Sequence, residues 1–231
     1  GGEKRRIRIF VFSNAEKAKF IFNAETKHNL NVSIVNELEI TALNLLLKCP
    51  LYWAPRKAWK QTVLIAGMGN TGVELFKSLI WANCNSLDKT LKIIVADKNA
   101  SFKRNELKRD YPEIFNGEYD LLFMDVDTRT DGFTKLLADC DSHVNYVVVA
   151  TENDEENLKT ANFLQCWFLR KYGDASLCPK LSILAKERHS SENDALIYGN
   201  PSKGEYCVMP FGSLDEIYSY ELIVNSEIEK L

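Results

Sequence analysis

The sequence predicts an α/β protein: a doubly wound, parallel sheet with helices on both faces, preceded by an extra β-α-β-α unit. Three observations predict it. Short apolar runs alternate with stretches of helical periodicity along most of the chain. The run Asn145–Ala150 is rich in Val, as expected of a central strand buried on both faces. The run Val63–Ala66 meets Gly67, Gly69 and Gly72, and Val73, Leu75, Phe76, Leu79 and Ile80 then recur at helical spacing. That is the order strand, glycine turn, helix.

Taken in order, Ile7–Phe12 reads as a buried strand. Ser13 or Asn14 is placed to cap a helix to about Lys27, and Asn31–Val35 reads as a second strand. Asn36 is placed to cap a helix over Leu38–Lys48. Pro50 and Pro55 bracket the clearest linker, so residues 1–55 form the β-α-β-α unit. This unit is either a degenerate half-repeat of the later chain or an extension of the same sheet.

Residues 56–212 hold the main domain. Its helix Thr71–Ala82 leads through a polar turn to the strand Leu91–Ala96, which ends on Asp97. The basic run Lys103, Arg104, Lys108 and Arg109 reads as a solvated helix face. Strand Asp120–Asp125 follows, then the polar turn Asp127, Thr128 and Asp131 and a helix over Gly132–Ala138. After Asn145–Ala150, the helix Glu155–Lys171 carries acids in its first turn and Arg170 with Lys171 in its last, matching the helix dipole. Strands Leu181–Ala185 and Tyr206–Met209 complete the sheet. Residues 213–231 form a last helix with Ser213 and Glu216 as a capping box, leading toward a downstream region.

The chain has 231 residues, 45% of them apolar, enough for a full core without staples. A formal charge of −3 gives no general attraction to nucleic acid or to an anionic membrane. No apolar run approaches the roughly 20 residues of a membrane span. The six cysteines form no CxxC pair and no zinc-ligand spacing with His28, His143 or His189. They read as buried free thiols in a reducing, cytosolic compartment.

Each glycine of the turn has its own physical task. Gly67 permits the turn off the strand, Gly69 lets a pyrophosphate approach the backbone, and Gly72 lets the helix lie close to the strand. The helix start offers unpaired N–H groups and a partial positive charge, which suit a diphosphate. Asp97 follows Gly72 by about 25 residues, where a carboxylate accepts both hydroxyls of an adenosine ribose. It would repel a 2′-phosphate by roughly 4 kcal/mol at ~4 Å and an effective dielectric of about 20, before screening. Asp97 therefore favours NAD(H) over NADP(H), while Lys98 beside it offers a contact to a 2′-phosphate.

Gly67-Met68-Gly69-Asn70-Thr71-Gly72, Asp97, Asp125-Val126 and the run from Val147 through Ala150, Thr151 and Glu152 to Asn157 together resemble the TrkA-N domain, the nucleotide-binding half of RCK modules that regulate potassium channels and transporters. The resemblance covers about residues 61–198. It implies a diphosphate on the glycine turn, a ribose on Asp97, adenine beside Asp125 and Val126, and the far end of the ligand at Ala150 and Thr151. Val126 stands where the family has a smaller Ala. The resemblance further implies NAD(H), or else ADP or ATP, bound as an effector, and pairing as a homodimer. The chain's end faintly resembles the approach to a ryanodine-receptor-type repeat domain.

The reading is therefore a cytoplasmic regulatory module of a larger protein linked to ion transport. Two alternatives stand beside it. An NAD-dependent oxidoreductase would share the turn, with His189 the one candidate acid or base, although no Tyr-x-x-x-Lys pair is present. A structural dimerisation module would keep the glycines for packing alone. No GxSxG, Cys/His or Walker-type signature supports hydrolase or P-loop chemistry, and no catalytic or metal-ligating set is assigned.

Overall fold

The computed structural model describes residues 7–14, 30–54, 60–83, 90–140, 144–187, 199 and 203–228. The expected helix up to Lys27 and His189 lie outside them.

Six strands form one all-parallel sheet: β3 (Lys60–Ala66), β4 (Thr90–Asp97), β5 (Asp120–Asp125), β6 (Tyr146–Val149), β7 (Lys180–Leu184) and β8 (Val208–Phe211). Their order across the sheet is β5-β4-β3-β6-β7-β8. Order reverses between β3 and β6, the topological switch point of a Rossmann-like fold. The sheet is central because its strands are apolar on both faces. Val63 and Ile65 point into one core and Leu64 and Ala66 into the other, all of them buried.

Helices α2 (Asn70–Asn83) and α3 (Ala100–Asp110) cover the first face, with Leu75, Phe76, Leu79 and Leu107 buried against it. Helices α4 (Asp131–Cys140) and α5 (Asp154–Tyr172) cover the second through Phe133, Leu137, Leu164 and Phe168. The last helix of the leading unit, α1 (Glu37–Lys48), completes the first face. Asn36 caps it by accepting the Leu38 N–H at 3.0 Å. Its Ala42 and Leu45 share a core with Val148 and Phe211. The fully buried Tyr146 hydroxyl donates to the Cys49 carbonyl at 2.6 Å, tying the end of α1 to the middle of the sheet. The Gly212 N–H donates to Asn44 Oδ1 at 2.8 Å. Residue 55 thus marks a linker in sequence while the core runs on either side of it.

The strands of the leading unit, β1 (Ile7–Phe12) and β2 (Leu30–Val35), pair in parallel with each other. Among the described residues they make a separate two-stranded sheet, so the alternative of extra strands on the main sheet is set aside. Val35 of β2 and Ile40 of α1 share a third core with Ile217, Leu222 and Ile223 near the C-terminus.

Four expectations need correction. Strand β1, expected to be buried, leaves Ile7, Ile9 and Phe12 exposed, because among the described residues it pairs only with β2, outside the main sheet. The last helix is broken in two, α6 (Leu214–Ile217) and α7 (Tyr220–Ile228). Ser213 makes no side-chain cap, and Glu216 instead takes the Lys48 ammonium at 2.7 and 2.9 Å while the same ammonium donates to the Pro210 carbonyl. A distant cation has outcompeted the local capping box. Strand β8 begins two residues later than the sequence indicates, because Tyr206 turns its hydroxyl to the Pro179 carbonyl at 2.7 Å and packs as a buried side chain ahead of the strand. The described cysteines are all free, but only Cys49 and Cys178 are buried, and Cys166 is exposed on α5. Among the described residues no helix is long and apolar enough to cross a membrane.

Candidate functional site

The crevice at the switch point opens above the carboxyl ends of β3, β4 and β6. Strand β3 ends at Ala66, and Gly67 turns the chain with φ +103, donating its N–H to the Ala96 carbonyl at 2.9 Å. Two of the three glycines are required by neighbouring backbone. A Cβ on Gly67 would lie 2.6 Å from the Ala150 carbonyl oxygen, and one on Gly72 would lie 2.3 Å from that of Gly67. Gly69 differs. Among the described residues, the three atoms nearest to a Cβ there all belong to the Glu152 side chain, the closest at 3.2 Å. Helix α2 starts next to it with no acidic residue in its first turn, whereas α5 has Asp154, Glu155 and Glu156.

Asp97 turns its carboxylate into the glycine loop. One oxygen accepts the Met68 N–H at 2.7 Å and the other the Asn99 N–H at 2.8 Å. Lys98, the neighbour offered to a 2′-phosphate, reaches Asp127 at 3.3 Å.

The crevice has a volume of about 340 Å3, within the range of small-molecule sites. Of the residues singled out from the sequence, Gly67, Met68, Gly69, Asp97, Lys98, Val126 and Thr151 line it. Asn70, Thr71, Gly72, Ala150 and Asp125 do not. Thr71, Gly72 and Ala150 are buried in the turn and strand ends. Asp125 stands at the end of β5 with its carboxylate accepting the Ser101 N–H at 2.7 Å. Hydrogen bonding from Ser101 in the first turn of α3, through its side chain foremost and then through its backbone N–H, holds the Asp125 pKa below the ordinary carboxylate value.

The lining also contains Lys103 of the basic helix face, Asp127 of the polar turn after β5 and Glu156 of the acidic first turn of α5. Arg129 joins two sides of the mouth. Its Nη2 and Nε reach Asp127, at 2.9 Å for the closest contact, and its Nη1 donates to Glu156 on α5 at 3.0 Å. The guanidinium, helped by the Arg129 backbone N–H and Lys98, holds the Asp127 carboxyl well below the usual range despite partial desolvation. An Asp and an Arg two residues apart just past a strand end were the available signal.

Asn157 braces the far wall. Fully buried, it accepts the Thr151 N–H at 2.8 Å and hydroxyl at 2.6 Å, and donates to the Thr151 and Leu184 carbonyls. Every polar group of that amide is used, which fixes the loop after β6 against the end of β7.

This is the architecture of a Rossmann-like α/β domain with its crevice at the switch point. Comparison with protein-family models, with curated proteins and with solved structures finds no match.

Proposed function

We propose that the chain is a regulatory nucleotide-binding module of a larger protein, taking NAD(H) or an adenine nucleotide as an effector. The observation that carries this reading is the pairing of Gly69 with Asp97. Gly69 is free of backbone crowding at the tip of α2, and the Asp97 carboxylate is turned toward the same loop. A diphosphate suits the N–H groups of the turn and the helix start. The adjoining carboxylate retains lone pairs for ribose hydroxyls. A diphosphate settling on Gly69 displaces the Glu152 carboxylate, an exposed group that no hydrogen bond or ion pair holds among the described residues.

Ligand binding in this reading biases geometry, and no bond is made or broken. The resemblance to TrkA-N domains directs the proposal toward ion-transport regulation, homodimer pairing, and a channel or a ryanodine-receptor-type repeat domain as the attached partner. Titration calorimetry with NAD(H), NADP(H), ADP and ATP tests it. The expected result is saturable binding of NAD(H) or an adenine nucleotide, with Asp97→Ala weakening NAD(H) and narrowing its advantage over NADP(H). No heat from any nucleotide on folded protein would overturn it.

A further inference from the structure

Strand β1 reads Ile-Arg-Ile-Phe-Val-Phe, a nearly continuous apolar run of the kind found in strands buried on both faces. In the fold, among the described residues, it pairs with β2 alone. Ile7 and Phe12, on opposite faces of the strand, are 58% and 37% exposed. The rings beside it are exposed as well: Tyr218 stands edge-on to Phe12 with centroids 4.5 Å apart, and Tyr220 edge-on to Phe10 at 6.4 Å. A two-stranded sheet is marginal by itself, and three or more strands are needed for a sheet of independent stability. The edges of the main sheet are blunted against pairing, β8 by Pro210 and β5 by the exposed Asp120 and Asp125 at its ends. Strand β1 contains neither a proline nor an acid, and its one charge is Arg8.

The direction of the backbone groups fixes what the open edge offers. The Ser13 N–H donates to the Val35 carbonyl at 3.0 Å, so the odd-numbered residues of β1 turn their N–H and C=O groups toward β2. Those of Arg8, Phe10 and Phe12 therefore point to the open edge. The same edge of a second copy can pair with it antiparallel about a two-fold axis at Phe10. Phe10 then stands opposite the second copy's Phe10, and Arg8 opposite the second copy's Phe12. These are hydrogen-bonded pairs, each exchanging two N–H···O bonds. Aromatic faces aromatic at the centre, and the guanidinium meets a ring and not its like charge.

We infer that two copies of the chain join edge to edge at β1, forming one four-stranded sheet in the order β2-β1-β1-β2. Phe10 and Phe12 lie on the face that meets Tyr220 and Tyr218, so the tyrosines of both copies come to the same side of the joined sheet. The seam is isologous and closes on itself, as a two-fold dimer requires. It gives the homodimer of the regulatory reading a surface, and rests on that reading only for the expectation that copies pair. Its test uses no nucleotide, so a failure here leaves the crevice untouched.

Sedimentation equilibrium of the full chain measures the pairing, beside the variant Arg8→Pro. The N–H lost there faces the open edge, so the β1–β2 ladder keeps its bonds. Melting curves confirm that the variant is folded. The expected result is a monomer–dimer equilibrium, weakened at least about tenfold in Arg8→Pro, which loses one N–H···O bond from each copy. Register is read separately by oxidative cross-linking of Phe10→Cys and of Phe12→Cys, each combined with Cys166→Ser to remove the exposed thiol. Across the axis the two Cα atoms of position 10 stand about 5.5 Å apart, within reach of a disulfide. Those of position 12 stand roughly 13 Å apart, beyond it. Phe10→Cys should form covalent dimers, and Phe12→Cys should form no more than Cys166→Ser alone. A monomer at every concentration would overturn the inference. So would a dimer of unchanged affinity in folded Arg8→Pro, or cross-linking at position 12 as ready as at position 10. Should Arg8→Pro fail to fold, the two cysteine variants decide by themselves.

Discussion

Alanine substitution at the three glycines of the turn separates what the fold needs from what a ligand needs. At Gly67 the backbone has φ +103, and the new Cβ would stand 2.6 Å from the Ala150 carbonyl oxygen. Backbone strain of about 1–3 kcal/mol adds to overpacking of about 1–3 kcal/mol, so Gly67→Ala costs roughly 2–6 kcal/mol. At Gly72 the Cβ would stand 2.3 Å from the Gly67 carbonyl oxygen. The clash is with backbone, which cannot swing aside, so the cost is at least about 3 kcal/mol, and the roughly 1 kcal/mol returned by helix propensity leaves a net loss of about 2 kcal/mol or more. At Gly69 the nearest atoms to the Cβ among the described residues are those of the Glu152 side chain, the closest at 3.2 Å. Gly69→Ala therefore changes stability by no more than about 0.5 kcal/mol. Urea unfolding followed by circular dichroism measures all three. A Gly69→Ala cost equal to that of Gly67→Ala, or a Gly67→Ala variant as stable as the parent, would refute the separation. The same Gly69→Ala protein should bind nucleotide at least about tenfold more weakly, because its methyl stands between the diphosphate and the backbone N–H groups.

Two further outcomes follow from the packing and the charges. Tyr146→Phe leaves the Cys49 carbonyl without the hydroxyl that donates to it at 2.6 Å, a loss of about 1–3 kcal/mol in urea unfolding; an unchanged midpoint would mean α1 is not held by this bond. Asp127 has its pKa lowered in the folded state, chiefly by Arg129, so its contribution is present above the unfolded value of about 3.9 and is lost as pH falls toward the folded one. The melting temperature of Asp127→Asn should therefore lie furthest below the parent's near neutral pH and converge with it in acid; a gap that widens in acid would contradict the assignment.

The fold was legible where the signal is local. Strands such as Val63–Ala66 and Leu91–Ala96 are apolar runs, and the glycine turn dictates its own backbone, so the strand–turn–helix could be read directly from residues 61–80. Asn36 announces α1 because a cap is a short-range bond, and the acids of its first turn announce α5. What failed depended on residues far apart in the chain. Ser213 and Glu216 satisfy the capping pattern, yet Glu216 answers to Lys48, 168 positions away. Asp125 sits at a strand end like Asp97, but its carboxylate takes the Ser101 N–H while Asp97 takes the glycine loop. Spacing from the glycine turn singles out Asp97, but it does not show which partner the Asp125 carboxylate takes. Lys103 reads as a solvated helix face and reaches the crevice only because α3 follows β4 directly across its mouth. The closure of one sheet face by α1 is likewise invisible to periodicity, which shows that a helix has an apolar side but not which surface covers it.

The central claim is that the turn from Gly67 to Gly72 is a binding surface. Its most direct test is an NMR titration of nitrogen-15-labelled protein with ADP-ribose, which carries the adenosine and the diphosphate without the nicotinamide. Saturable shifts are expected at the amides of Met68, Gly69, Asn70 and Asn99, the last two standing at the helix start and beside the Asp97 carboxylate respectively. Saturable shifts confined to another region, with these amides unmoved, would contradict it.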